Sequence, residues 1–525
     1  PIKTWMKAYD IPGMCLSVTD GKSTIRTATY GYSEVATKRH VRNQSLFQIG
    51  SISKSFTSIC VLQLAEEGLL DLHRPVKEYL PWFEVRSRFG PITLHHLMTH
   101  SAGIVVGTES LIHAVPEAYA LRDTDTSAPP GEHFHYSNVG YKTVGLAAES
   151  VTGRSIADLV RERVVEPLGM KSTTTTINND VRDRLAVGYS DLKDDRPRPL
   201  KDGLAPATWG ECDTGDGSIC STADDMARYV RMLINKGKGP KGATVLSEKA
   251  FALITGKHVK DENDEYYGYG FWSSDVDGHL HIQHTGGMVG FHSSLVIDTD
   301  MGIGVFASVN GPGEPAKATK AVLASIRAAA EGRKGLPPSA SLPDPYAVKD
   351  AKDYAGEFVC GDRTVSFSAS RNSLNLVARK CKIRMDLRGP DEFYAQAPGY
   401  DRFLFRFVRS AGMVTEVVHG PDVYRRAGAT TVPEGGRPKE WDAFIGHYRS
   451  YNPWLSNFRI VGRGPGIAVI YPWGVEEPLT HLGGTKFRAG TDPLNPETVS
   501  FELVIGGKAQ VARIAWGVYT RTFTH

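Results

Sequence analysis

Ser51 and Lys54 stand three residues apart at the head of an apolar run that includes Phe56, Ile59, Val61, Leu62 and Leu64. Positions i and i+3 share a helix face, so a hydroxyl and an amine placed there can meet. A buried ammonium beside other cations gives up its proton more readily, and the free amine can then take one from serine. The N-terminus of a helix also aims N–H groups and partial positive charge at a developing oxyanion. Taken alone, the pair has a common meaning, a capping serine beside a solvated lysine. Two further groups give it weight. Tyr136-Ser137-Asn138 reads as a loop before a helix expected from residue 140. Tyrosine can relay protons and asparagine can hold an amide. His284-Thr285-Gly286-Gly287 ends an expected strand, where Gly286 and Gly287 let a substrate backbone approach closely. A lone histidine on a strand is more often a satisfied structural partner.

In this order and at these separations, the three groups resemble the serine β-lactamase and penicillin-binding-protein superfamily. The resemblance covers about residues 1–330 and takes in Thr99-His100-Ser101-Ala102-Gly103 and Ser221-Thr222-Ala223-Asp224-Asp225. Over its whole length the chain looks most like bacterial D-stereospecific aminopeptidases, which add two small β units. The resemblance implies Ser51 as the acylated nucleophile and Lys54 as its proton acceptor. It implies Tyr136 as the proton shuttle to the leaving group and Asn138 as a binder of the substrate amide. The N–H groups of Ser51 and Gly287 would form the oxyanion hole. His284 joins the catalytic set where these hydrolases usually carry the lysine of Lys-Thr-Gly. A permanent cation suits a substrate carboxylate, whereas histidine near pH 7 is only partly charged. That departure speaks against β-lactamase and DD-carboxypeptidase activity and for esters, amides or peptides with a free amine. A deacylating glutamate of the class A type is not identifiable. The loop Glu211-Cys212-Asp213-Thr214-Gly215-Asp216 could attract a substrate ammonium, or could be a solvated acidic loop.

The elements that must position these groups follow from periodicity. Strands are expected at 12–19, 24–32, 279–285, 290–297 and 302–309. Helices are expected from Ser51 to about Leu70 and at 93–100, 140–152, 155–166, 222–236 and 314–331. Thr222 stands three residues before Asp225, a capping-box arrangement. Strands at both ends around a helical middle predict an α/β (α+β) catalytic domain, an antiparallel sheet flanked by helices with an inserted helical lobe. Its cleft is the natural place for a site. Gly- and Pro-rich stretches at 332–348 and 427–438 read as linkers. They divide the chain into a hydrolase domain at 1–331 and small all-β domains at 349–426 and 439–525. Both small domains are expected to be lipocalin-like antiparallel barrels and they resemble each other. Tyr354-Ala355-Gly356-Glu357-Phe358 precedes alternating Phe403, Phe405 and Phe407; Phe444-Ile445-Gly446-His447-Tyr448 precedes alternating Phe501, Leu503 and Ile505.

At 525 residues the chain is too long for one core. Hydrophobic residues at 41% and charged residues at 23% exclude wholesale disorder. The 61 basic and 58 acidic residues nearly cancel, to +3, which argues against nucleic acid or an anionic membrane as partner. No apolar run reaches the roughly 18–20 residues of a membrane span. Cys15, Cys60, Cys212, Cys220, Cys360 and Cys381 are too sparse for a disulfide framework and lack zinc-site spacing. They read as free thiols in a cytoplasmic protein, although Cys360 and Cys381 could meet on adjacent strands. The chain opens at Pro1 inside a helical pattern, so a missing leader, with periplasmic or secreted placement, is the alternative. No metal or cofactor is expected; the partner is a small peptide, amide or ester, with a homodimer left open. The expected function is a serine aminopeptidase or amidase acting through an acyl-enzyme on small or D-residue peptides. The alternatives are an esterase, a β-lactamase-related hydrolase or a peptide cyclase, and, from another class, a catalytically silent binding scaffold. Substrate selection is expected to involve His284 and a loop from one barrel.

Overall fold

A computed structural model of the chain describes residues 2–109, 113–333, 344–379, 381–428 and 436–523. Two compact units emerge: one of residues 1–190, 205–342 and 493–497, the other of 191–204, 343–492 and 498–525. The expected linkers at 332–348 and 427–438 lie largely outside the described residues.

The first unit is built on a nine-stranded antiparallel sheet. Its order runs from Arg39–His40 through Thr24–Glu34, Gly13–Asp20, Ile303–Val309, Phe291–Asp298, His279–Met288, Trp272–Val276 and Tyr266–Tyr267 to Val259–Lys260. Strands from the two ends of the unit meet where Gly13–Asp20 pairs with Ile303–Val309, Leu16 opposite Ala307. Met14, Leu16 and Val18 point to one face and pack with Trp5 and Met6 of the helix Ile2–Tyr9 and with Ala318 and Leu323 of the helix Pro315–Ala330. Period-two alternation places all three on that side. The other face receives the helix Ala223–Ile234 so closely that a Cβ on Gly304 would come 2.2 Å from Val230.

The remaining helices differ from expectation at their ends. The helix expected from Ser51 begins as a 3-10 turn, Gly50–Ile52, and becomes α-helical over Ser53–Glu66. The Asn138–Thr152 helix starts two residues early, because Ser137 accepts a hydrogen bond from the Gly140 N–H and caps it. Asn138 is therefore a helical residue. The expected helix at 155–166 is α-helical only over Ile156–Val160 and continues as a π-turn over Arg161–Val165. Thr222 does cap its helix by accepting from the Asp225 N–H. The return half of the box is not made. Asp225 instead accepts from the backbone of Ser172 and Thr173 and from the Thr173 hydroxyl.

The second unit holds two all-β structures. The first is a nine-stranded antiparallel sheet from Gly356–Cys360 to Asp422–Arg426, around Phe358, Phe367, Phe393, Phe405 and Phe407. The second is a closed eight-stranded barrel from Gly446–Arg449 to Gly517–Arg521, around Tyr448, Phe458, Phe487 and Phe501. An arginine on the last strand of each clasps the first. Arg426 donates to the carbonyls of Ala355, Asp353 and Val414, and Arg521 to those of Ile445, Ala443 and Ala509. Each guanidinium also stands over an aromatic ring, Phe358 in one and Tyr448 in the other. Gly356 and Gly446 occupy matching places, since a Cβ on either would strike its arginine. The two pieces thus share one closing device.

Three details correct the sequence reading. Phe403 stands outside the first core and packs on Val461, Ala468 and Ile470 of the second barrel. Leu503 and Ile505 are 66% and 67% exposed, because they lie near the tip of a hairpin beyond the barrel core. Cys360 and Cys381 do not meet: two strands separate theirs, and all six cysteines are free thiols.

Candidate active site

The site is assembled where a buried helix meets a glycine-bearing strand. Every residue from Ser53 to Leu62 is buried, and Phe56 stacks on Tyr229 at 3.9 Å between ring centres. A helix buried on all sides, its polar Ser53, Lys54, Ser55, Thr57 and Ser58 included, runs through the inside of a domain. That position removes Lys54 from water entirely, at 0% exposure. Its Nζ donates to Ser51 Oγ at 3.0 Å, to Asn138 Oδ1 at 2.7 Å and to the Asp216 carbonyl at 3.0 Å. Three acceptors satisfy the three protons of an ammonium. Burial lowers the Lys54 pKa to about 8, and the nearby Lys142 adds to the fall while Asp216 and Glu109 oppose it. An amine so poised can receive a proton from Ser51.

Close backbone packing fixes the turn that carries Ser51. A Cβ on Gly286 would lie 1.9 Å from the Ile49 carbonyl, and one on Gly50, at φ +54°, would lie 2.7 Å from the Gly287 nitrogen. Ser293 donates to the Ile49 carbonyl at 2.6 Å, and Ile49 donates to Ile219 at 3.0 Å. Gly286 and Gly287 do not end the strand. It continues to Met288, with Gly286 opposite Ser293 and Gly287 opposite His292. The smallness of Gly286 serves the packing of the strand against the turn that carries Ser51, whereas a Cβ on Gly287 would meet nothing within 4 Å.

Tyr136 and His284 complete the cluster. The Tyr136 ring stands 5.0 Å from Lys54 Nζ, 4.2 Å from the His100 ring and 5.8 Å from Trp272, parallel to the last. Burial drives its pKa far up, with the Ser51 hydroxyl acting to lower it, and its own hydroxyl is buried without a well-formed hydrogen bond. His284 is 1% exposed. Its Nδ1 donates to the Thr285 carbonyl at 2.5 Å, so Nε2 accepts from the Tyr267 hydroxyl at 3.0 Å. Burial, then the charge of Lys54, lowers its pKa to about 3. At pH 7 His284 is therefore neutral rather than partly charged.

Other charges surround the core of the site. Lys142, one helical turn beyond Asn138, bonds Glu117 at 2.9 Å and Glu109 at 3.0 Å. Burial raises Glu109 to about 7. The acidic loop at 211–216 is split in its exposure. Asp216 is buried and accepts from Thr214, whereas Asp213 is exposed and pairs with His113. Sequence reasoning missed Tyr267, Trp272, Glu109 and Lys142, whose types carry no motif. It also missed Glu497 in the segment 493–497, which lies between the strands Lys486–Ala489 and Thr498–Ile505 yet belongs to the first unit. Its Oε1 accepts from the Val106 N–H at 2.6 Å and stands 3.2 Å from His135 Nε2. Val106 in turn accepts from the N–H of Asn138. Among the described residues, His279, Asp298 and Asp300 bring metal-type ligands together. The guanidinium of Arg327, 2.7 Å from Asp298, already supplies the positive charge there.

A buried lysine hydrogen-bonded to a serine, in an antiparallel sheet with an inserted helical lobe, defines the class of the serine hydrolases with a penicillin-binding-protein-like fold. The chain belongs to the Beta-lactamase family, whose sequence pattern it matches over residues 2–329. It is 29% identical over 333 residues to penicillin-binding protein 4 of Amycolatopsis lactamdurans, covering 58% of this chain and 84% of that one. It is 26% identical over 311 residues to Protein flp of Staphylococcus aureus strain MW2, covering 57% of this chain and 60% of that one. In fold it is similar to the octameric penicillin-binding protein homologue from Pyrococcus abyssi, with a TM-score of 0.58, 22% identity and coverage of 81% of this chain and 98% of that one. The chain is a serine hydrolase. Among the described residues no helix is long and apolar enough to cross a membrane.

Proposed function

We propose that this hydrolase is an aminopeptidase or amidase that acts through an acyl-enzyme on Ser51, on small peptides or amides with a free amine, D-residues included. In this reading Lys54 takes the proton of Ser51, and Tyr136 passes one to the leaving amine. Asn138 holds Lys54 through Oδ1 and can offer Nδ2 to the substrate amide. The N–H groups of Ser51 and Gly287 would receive the oxyanion. The observation that carries the choice of substrate is Glu497. Both of its hydrogen bonds use Oε1, and a carboxylate beside the segment that bonds Asn138 suits an ammonium. The neutral His284 supports the same choice, since it offers no fixed cation to a substrate carboxylate.

The domain boundaries at 1–331, 349–426 and 439–525 are part of the proposal, as are a cytoplasmic location, supported by six free thiols, and self-association as a homodimer. The octameric neighbour is the support for the last, and sedimentation velocity reads it.

The test has two arms. A fluorophosphonate should add its mass to the peptide holding Ser51, and Ser51→Ala should abolish labelling and cut turnover by at least about 10³-fold. Labelling that survives in the variant refutes the nucleophile. A panel of D- and L-aminoacyl p-nitroanilides, their N-acetyl forms, p-nitrophenyl esters and nitrocefin then reads specificity. Free amines should be preferred, and Glu497→Gln should raise KM for them about tenfold without touching the acetylated forms. A preference for acetylated substrates or for esters leaves the hydrolase and removes the aminopeptidase.

A further inference from the structure

A groove of about 720 Å³ in the second unit is lined by residues of both all-β pieces, Arg402 and Phe403 from the nine-stranded piece and Ile445 and Arg459 from the closed barrel. Its volume falls within the range of sites that hold small organic molecules. Its walls are chemically divided. Phe403, Ile445 and Phe523 supply apolar surface. The charged lining is four cations, Arg402, Arg459, Lys508 and Arg521, against one carboxylate, Asp422. Asp422 is already gripped by both terminal nitrogens of Arg363, at 2.6 and 2.7 Å. Arg521 spends its guanidinium on carbonyls and the Tyr448 hydroxyl, none of them charged.

Arg459 is the pivotal side chain. It is only 7% exposed and its ring neighbour is Phe403, 5.3 Å away. Nη1 donates to the Asp195 carbonyl at 2.7 Å, and Nη2 stands 3.5 Å from the Asp195 carboxylate. That carboxylate is bound more closely by Arg196, at 2.8 and 3.1 Å. Nε of Arg459 is buried with no hydrogen-bond partner among the described residues. A buried N–H of a cation left unpaired costs free energy that an anion would recover. His419 and His447, also in the lining, are both pushed down to about 4 by burial and add no charge at neutral pH.

We propose that this groove binds a small organic monocarboxylate with an apolar body. The carboxylate sits against Arg459 Nε and the exposed heads of Arg402 and Lys508, and the body lies on Phe403, Ile445 and Phe523. The assignment is independent of the reading of Ser51.

The test uses the full chain and 3-phenylpropionate as probe, followed by isothermal titration calorimetry. Saturable one-to-one binding is expected, weakened about tenfold or more in 3-phenylpropionamide, which keeps the shape and lacks the charge. The double variant Arg402→Gln/Lys508→Gln changes two exposed side chains, and it should weaken the acid by a similar factor while its thermal transition is unchanged. Prior labelling of Ser51 with a fluorophosphonate should leave the titration as it was. No saturation by about 10 mM, equal binding of the amide, or an unaltered affinity in the double variant would each overturn the proposal. So would loss of binding on labelling, which would place the acid at Ser51.

Discussion

The Oδ1 of Asn138 lies 2.7 Å from Lys54 Nζ, closer than Ser51 Oγ at 3.0 Å. The asparagine thus orients the amine from a helix far away in sequence, and its neutrality leaves the pKa of Lys54 to burial.

Activity should therefore rise with pH through about 8, because only the neutral amine accepts a proton and burial places its titration there. Below that value kcat/KM should fall about tenfold per unit. Asn138→Asp would set a carboxylate against the ammonium and favour its charged form. The acid limb should then move upward by at least about one unit, which a pH–rate profile reads directly.

His284→Lys tests the neutral histidine. The new amine would share a buried site with Lys54, so two cations would compete for one charge. The acid limb for Lys54 should move below 8, and substrates bearing a carboxylate should gain relative to free amines. Unchanged selectivity would mean that position 284 does not face the acyl group.

Gly286→Ala addresses the packing of the turn that carries Ser51. Its methyl would sit 1.9 Å from the Ile49 carbonyl and 2.5 Å from Ser293 Oγ. Overpacking of this kind costs about 1–3 kcal/mol, and displacement of Ser51 should reduce kcat about 10²-fold. Thermal denaturation and steady-state kinetics measure the two parts separately.

Acid should unfold the protein early. His95, His419 and His447 are lowered to about 4 and His284 to about 3, all mainly by burial. Between about pH 6.5 and these values the unfolded chain binds protons that the native chain refuses. Stability therefore rises with pH across that window and is lost as pH falls through it. The transition temperature should drop steadily from pH 6.5 to 4, and an unchanged midpoint would show that these rings are hydrated.

The sheet was legible because its five long strands are short apolar runs bounded by turn residues, and Met14, Leu16 and Val18, two apart, have to share a face. The Ser51–Lys54 pair was legible because i and i+3 on one helix need no tertiary information. Helix ends were less so. The start at Asn138 rests on Ser137 turning back to the Gly140 N–H, and serine caps and serine loops look alike in sequence. The run Phe403, Phe405, Phe407 read as one face of one strand, but Phe403 precedes that strand and serves the neighbouring barrel.

Local spacing by itself determined the strand and helix pattern, the Ser51–Lys54 pair and the duplicated all-β pieces. Those features depend on residues a few positions apart, whose geometry the backbone period dictates. Only the tertiary structure decided the charge states at the site. The neutrality of His284 and the poised amine of Lys54 come from burial among Tyr136, Tyr267, Trp272 and Asn138, contributed by distant segments. Glu497 enters the first unit from nearly the end of the chain, and no spacing rule reaches that far. Desolvation and long-range contact are properties of the packed molecule, and they appear only when the chain has closed around its own charges.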